Sequence, residues 1–184
     1  MALYALFADI LDYPALEIAS QVRRCASELA AKYPDASELI TQFQAEQTRM
    51  TLGQLQELYT STFDMRPDCT PNLGHHLFGD DVRRNIFMAQ LKERMGPYGV
   101  AMGSELPDHL SLVLQLLEKQ GPGDEGQALV EDCLIPAISR MVEVLGKDGR
   151  TNAYSNALRA LLILLQKSIG AEAAPLEALQ GPTI

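Results

Sequence analysis

The sequence predicts an all-α protein: one globular bundle of about seven to eight helices with an irregular central loop region. Apolar residues recur at helical spacing almost throughout, whereas period-two alternation over a strand length is nearly absent. The chain is rich in Ala, Leu, Glu and Gln, which lose little entropy in a helix, and only 6% of it is aromatic, with no Trp. Gly and Pro clusters cut it into helix-length pieces joined by short links. At 184 residues one core is the natural expectation. The expected domain spans residues 1–169, with 170–184 as a flexible tail.

Leu3, Phe7, Ile10 and Leu11 mark a first helix that closes before Pro14. A second is expected from about Pro14 to Lys32. "PDASE" offers Asp35 as N-cap with Glu38 three residues on, a capping box that opens a helix to about Met50. Thr51 and Gln54 repeat the device, followed by Leu55, Leu58, Tyr59 and Phe63 at helical spacing, until the two prolines of "DMRPDCTP". "LGHHLFGDD" reads as an irregular link into a helix from about Asp80, its cap, to Arg94. After "GPYGVAMG", Pro107 suits the first helical position and Asp108 the first turn, where the dipole favours a carboxylate. Asp124 and Gln127 suggest another cap pair opening a helix to about Leu145. After the turn "GKDG" a last helix is expected from Thr151 to Ile169.

Charge and composition exclude several function classes. A formal net charge of -9 argues against nucleic-acid binding, which needs clustered Lys and Arg. Cys25, Cys69 and Cys133 are an odd, widely spaced set, expected to be free thiols in a reducing compartment. "MALYALFADILDYP" lacks a basic n-region, and "ALLILL" near the C-terminus is too short to span a bilayer. A cytoplasmic protein without stable membrane insertion is expected. No GxSxG, phosphate loop or dinucleotide fingerprint is present, so no enzyme and no cofactor is expected. His75, His76, Asp80 and Asp81 lack metal-ligand spacing, and no metal is expected.

The most informative stretch is "ELPDHLSLVLQLLEK". Its helix is apolar nearly all round and should be buried. A cationic imidazole is disfavoured at a helix N-terminus, so His109 should be neutral unless Asp108 or Glu105 compensates. It could then donate one hydrogen bond and accept another, at the mouth of an apolar region. Arg83 and Arg84 could bind a carboxylate or order the central loop.

"YTSTFDMRPDC", "HHLFGDDVRR" and "ELPDHLSLVLQLL", in this order and spacing, resemble the nitrate reductase delta-subunit family, the NarJ-type assembly chaperones, within the wider group dedicated to molybdenum enzymes (the TorD/DmsD group). The resemblance runs from about Leu3 to Ile169. The chain departs from the family pattern at "NLGHHLF", where Gly74 and the doubled histidine replace bulkier residues.

The resemblance implies an all-helical, non-enzymatic chaperone. Such a protein binds the N-terminal or leader peptide of a molybdenum-enzyme catalytic subunit and holds it competent for cofactor insertion before membrane docking or export. The implied client is respiratory nitrate reductase first, with enzymes acting on selenate, chlorate or hydrocarbons as alternatives. The implied peptide-binding residues are Asp108 and His109, with Tyr59, Phe63, His76, Asp81, Arg84 and Leu106 as further candidates. A monomer or weak homodimer is expected. The competing reading is a permanent helical regulatory or structural subunit of a redox complex.

Overall fold

The computed structural model describes residues 3–147 and 152–172. Ten α-helical segments run through them, with no strand among the described residues. α1 (Leu3–Ile10), α2 (Ile18–Leu29), α3 (Pro34–Gln47) and α4 (Leu52–Tyr59) are followed by a π turn at Thr60–Asp64 and a 3₁₀ turn at Pro67–Cys69. Then come α5 (Leu73–Phe78), α6 (Val82–Met95), α7 (Leu110–Gln120), α8 (Asp124–Leu129), a π turn at Val130–Leu134, α9 (Ile135–Lys147) and α10 (Ala153–Glu172). Because the second π turn makes α8 and α9 one continuous rod, the described residues hold nine helices rather than seven or eight.

The additional helix is α5, in the stretch expected to be an irregular link. "LGHHLF" has weak helix propensity; packing of α5 on α9 and α6, with Leu73 and His76 buried, supplies what local sequence lacks. The second π turn lies just ahead of Pro136, whose ring would clash with a regular carbonyl four residues back.

Cap chemistry was met at one place and displaced at others. Thr51 and Gln54 form the expected capping box. At α3, Tyr33 is the N-cap and Pro34 occupies the first turn, so Asp35 is already helical and caps nothing. Asp81, not Asp80, caps α6 through the Arg83 N–H at 2.8 Å. Gly123, not Asp124, precedes α8. In these cases a Pro or Gly nearby moved the boundary by one or two residues. α10 continues to Glu172, three residues into the expected tail. Residues 173–184, the expected turn around 148–149 and Thr151 lie outside the described residues.

α7 is the central rod. Seven of its residues, from Leu110 to Leu117, are buried on every face, and α1 lies along it. α3 packs between α2 and α10, and α9 against α10 and α5. Cys25 and Cys69 are buried free thiols, pushed up to about 12 by that burial.

Tyr154 of α10 is the hub of an aromatic cluster that ties the two halves together. Its ring meets Phe43 at 5.4 Å, Tyr59 at 5.5 Å and Phe63 at 5.2 Å, all edge-on. Such pairs contribute about 0.5–1.5 kcal/mol each beyond burial. Yet the Tyr154 hydroxyl is fully buried without a hydrogen-bond partner. Removing an unsatisfied buried hydroxyl while keeping the ring should help, so Tyr154→Phe is expected to raise stability by about 1 kcal/mol in urea unfolding. Tyr154→Ala is expected to cost about 3–5 kcal/mol through the cavity it leaves.

Candidate functional site

The head of α7 differs from its expected form. α7 begins at Leu110, so Pro107 and Asp108 precede the helix and His109 is its N-cap. The His109 Nδ1 accepts from the Ser111 N–H at 3.3 Å and sits 2.8 Å from the Ser111 hydroxyl. With Nδ1 as acceptor, the ring proton is on Nε2.

Asp108 is withdrawn from the dipole because its carboxylate is committed elsewhere. It has no exposed surface; Oδ2 pairs with the Arg84 Nε at 3.0 Å and Oδ1 accepts from the Asn72 amide at 3.2 Å. A buried carboxylate requires such partners. Two backbone bonds reinforce the contact: the Leu73 N–H donates to the Asp108 carbonyl at 2.8 Å, and the Leu110 N–H to that of Pro71 at 2.9 Å. Residues 71–73 are thereby bridged antiparallel to 108–110.

Gly74 is required by this arrangement. A Cβ there would lie 2.7 Å from the Asp108 Oδ2 and 2.9 Å from the Arg84 Cγ. A bulkier residue would displace the ion pair, which gives the departure at "NLGHHLF" a physical reason.

Above this buried frame lies an open cleft of about 520 Å³. Tyr59 and Phe63, with ring centroids 4.9 Å apart, form its apolar wall. Tyr13 packs edge-on to Tyr59 at 5.6 Å and is half exposed. His109 and Arg84 close the side nearest α7. The His109 Nε2 is 3.9 Å from the Glu105 carboxylate. Burial, and secondarily Asp12 and Asp64, push the Tyr59 phenol well above its usual range.

Of the eight candidate residues, the fold brings Tyr59, Phe63, Arg84 and His109 to this cleft. Asp108 lies behind it, reaching it through Arg84. Leu106 is 47% exposed, next in sequence to the lining residue Glu105. His76 does not line the cleft: its Nε2 is 2.7 Å from the Thr70 carbonyl, and its own carbonyl accepts from Arg140. The lining residue is its neighbour His75, because consecutive side chains on α5 diverge. Asp81 lies outside the cleft and caps α6. Asp12, Tyr13, Asp64 and Arg66 also line the cleft, and sequence reasoning does not single them out. Only the acidic interruptions of the apolar N-terminal stretch hint at Asp12.

Among the described residues no group of three or more His, Cys, Asp or Glu is placed to hold a metal. Cys69, with its thiol pKa raised by burial, is a poor nucleophile. The cleft offers aromatic faces, an imidazole N–H and carboxylates, which suit binding of a polypeptide segment.

The family model for the nitrate reductase delta subunit matches residues 23–139. The chain belongs to the nitrate reductase delta subunit family. No curated protein matches it. In this delta-subunit-family chain the matched span runs from α2 into α9. It includes Tyr59, Gly74, Arg84 and His109 but not Asp12 or Tyr13.

Removing Asp108 would leave the Arg84 guanidinium largely buried without its counter-ion. Asp108→Ala is therefore expected to cost about 3 kcal/mol in urea unfolding. Arg84→Met, which leaves the fully buried carboxylate with only the Asn72 amide, should cost at least as much, and the double variant should lose less than the two single losses added, since they share one interaction.

His76 supplies a pH dependence. Burial, the largest influence, lowers its pKa below the ordinary histidine value of 6.5. The unfolded chain then binds more protons than the folded one just below that pH. Stability is fully present above about pH 6.5 and is lost as pH falls toward the depressed folded value. The urea midpoint should fall as pH drops below about 6.5, and less steeply in His76→Gln.

Proposed function

We propose that this chain is an assembly chaperone that captures the N-terminal segment of a molybdenum-enzyme catalytic subunit in the cleft at the head of α7. It acts in the cytoplasm, by binding and without turnover. Respiratory nitrate reductase is the first client, in keeping with the family. The segment is held while the catalytic subunit remains open for insertion of its molybdenum cofactor, and membrane docking or export waits for release.

The observation that carries this reading is that Tyr59 and Phe63, some fifty residues ahead of His109 in sequence, meet it in one cleft inside the family-matched span. Apolar wall and polar mouth together suit a short peptide: the rings bury its apolar side chains, and the His109 Nε2–H orients its backbone. In this reading Asp108 acts from behind by holding Arg84 and the bridged segments in place, and Leu106 supplies apolar contact at the edge. His76 and Asp81 order the surrounding helices rather than touch the peptide. No helix of the described residues is long and apolar enough to cross a membrane, which fits a protein that delays docking without being inserted itself.

Calorimetric titration with a synthetic peptide of the first ~30 residues of the catalytic subunit encoded in the same organism tests this, that length being typical of a targeting segment. Wild type should bind, and His109→Ala and Phe63→Ala, folded by circular dichroism, should bind about tenfold or more weakly. Absence of binding by folded wild type would overturn the reading, and equal binding by both variants would remove this cleft from it.

A further inference from the structure

The apolar wall of the cleft is built across an irregular turn. Tyr59, Phe63 and Asp64 all line the cleft. In a regular α-helix, with about 3.6 residues per turn, Asp64 would be rotated about 140° from Tyr59 and face away. The π turn at Thr60–Asp64 is closed by the Met65 N–H, which donates to the Thr60 carbonyl at 2.9 Å. Its wider loop sets residues 63 and 64 to either side of Tyr59. π turns are rare, occur mostly as single turns inside α-helices, and are frequent at functional sites.

A line of side-chain hydrogen bonds holds this one from outside. Thr62, in the middle of the turn, is 2% exposed. Its hydroxyl donates to the Leu58 carbonyl at 2.6 Å, which also takes the Ser61 hydroxyl at 3.0 Å, and accepts from the Asn152 Nδ2 at 2.9 Å across 90 residues of chain. The direction of this line is fixed at its far end. Asn152 immediately precedes α10; its Oδ1 accepts from the Ser155 N–H at 3.2 Å, and its own N–H donates to the Ser155 hydroxyl at 3.0 Å. With Oδ1 used as the helix cap, Nδ2 donates to Thr62, and the Thr62 proton goes to Leu58. Tyr154, two residues on, packs edge-on against Tyr59 and Phe63, so the start of α10 holds the wall on its polar and its apolar side.

We propose that Thr62 and Asn152 are positioning residues for the cleft: their hydroxyl–amide link to the start of α10 holds the π turn open and so keeps Phe63 and Asp64 beside Tyr59. The inference rests on reading the cleft as a peptide site and adds what sets its wall. Neither residue lines the cleft, so both act through the turn. Without the link the turn closes toward a regular helix, which carries Asp64 out of the cleft and shifts Phe63 against Tyr154. Order at the start of α10 and occupancy of the cleft are thereby coupled, each favouring the other.

Amide hydrogen exchange and peptide binding on the full chain test this. Thr62→Val removes the hydroxyl and keeps the branched shape, whereas Thr62→Ser keeps the hydroxyl. In Thr62→Val the Met65 amide, donor of the π bond, should exchange about fivefold or more faster than in wild type, while amides of α2 and α3 keep their rates. Thr62→Ser should recover the slow rate. Asn152→Ser, which can still cap α10 but lacks the amide donor, should match Thr62→Val, and the double variant should add little, because the two share one interaction. An unchanged Met65 rate in Thr62→Val, an equal acceleration in every helix, or no recovery in Thr62→Ser would overturn the role. In calorimetry with the catalytic-subunit peptide, Thr62→Val should bind about fivefold or more weakly than Thr62→Ser, and equal affinities would overturn it as well. Absence of binding by every form, wild type included, would overturn the peptide reading instead, and the exchange comparison decides the turn without it.

Discussion

The ion pair between Asp108 and Arg84 is the constraint on which the site depends. A carboxylate with no exposed surface must be compensated, and here one guanidinium and the Asn72 amide do so. Meeting that need draws α6 toward the start of α7 and pins residues 71–73 alongside 108–110. It also forbids a side chain at residue 74, where a Cβ would collide with both partners. Because Asp108 is held in this way, the helix cap falls to His109, and the cap bond to Ser111 turns its Nε2 toward Glu105 and the cleft. Thus one buried charge determines the helix start, the glycine and the tautomer of the imidazole.

The apolar half of the site has a separate origin. Tyr59 and Phe63 belong to the aromatic cluster around Tyr154, so the wall of the cleft is the outer surface of the core. Between them the π turn at Thr60–Asp64 adds a residue to the helical turn and redirects the chain toward Pro67. Thr62 uses the change to donate to the Leu58 carbonyl and accept from Asn152 at the start of α10. In the proposed role, this packed apolar wall beside a polar mouth orients a flexible segment and leaves the protein little to order on binding.

The all-helical fold was legible because apolar spacing and breaker residues are local signals. The capping box at Thr51 and Gln54 is complete within four residues and forms as expected. The expected caps at Asp35, Asp80 and Asp124 are displaced because a neighbouring Pro or Gly sets each boundary, Pro34 at α3, Gly79 ahead of α6 and Gly123 at α8. α5 is not legible in the sequence because its stability comes from α9 and α6, not from its own residues. In the site, the pairing of polar head and buried helix was visible at "ELPDHL", whereas His75 and His76 could not be told apart until the orientation of α5 was known.

By itself the sequence determined the helical class, the burial of α7 on all sides and the importance of its polar head, since each follows from periodicity and residue type within one segment. Only the tertiary structure decided that Asp108 is a buried counter-ion rather than a first-turn residue, and that Asp12, Tyr13, Asp64 and Glu105 share a cleft with Tyr59 and His109. The reason is that burial of a charge and convergence of distant side chains depend on contacts across many residues of chain, whose energies outweigh local preferences.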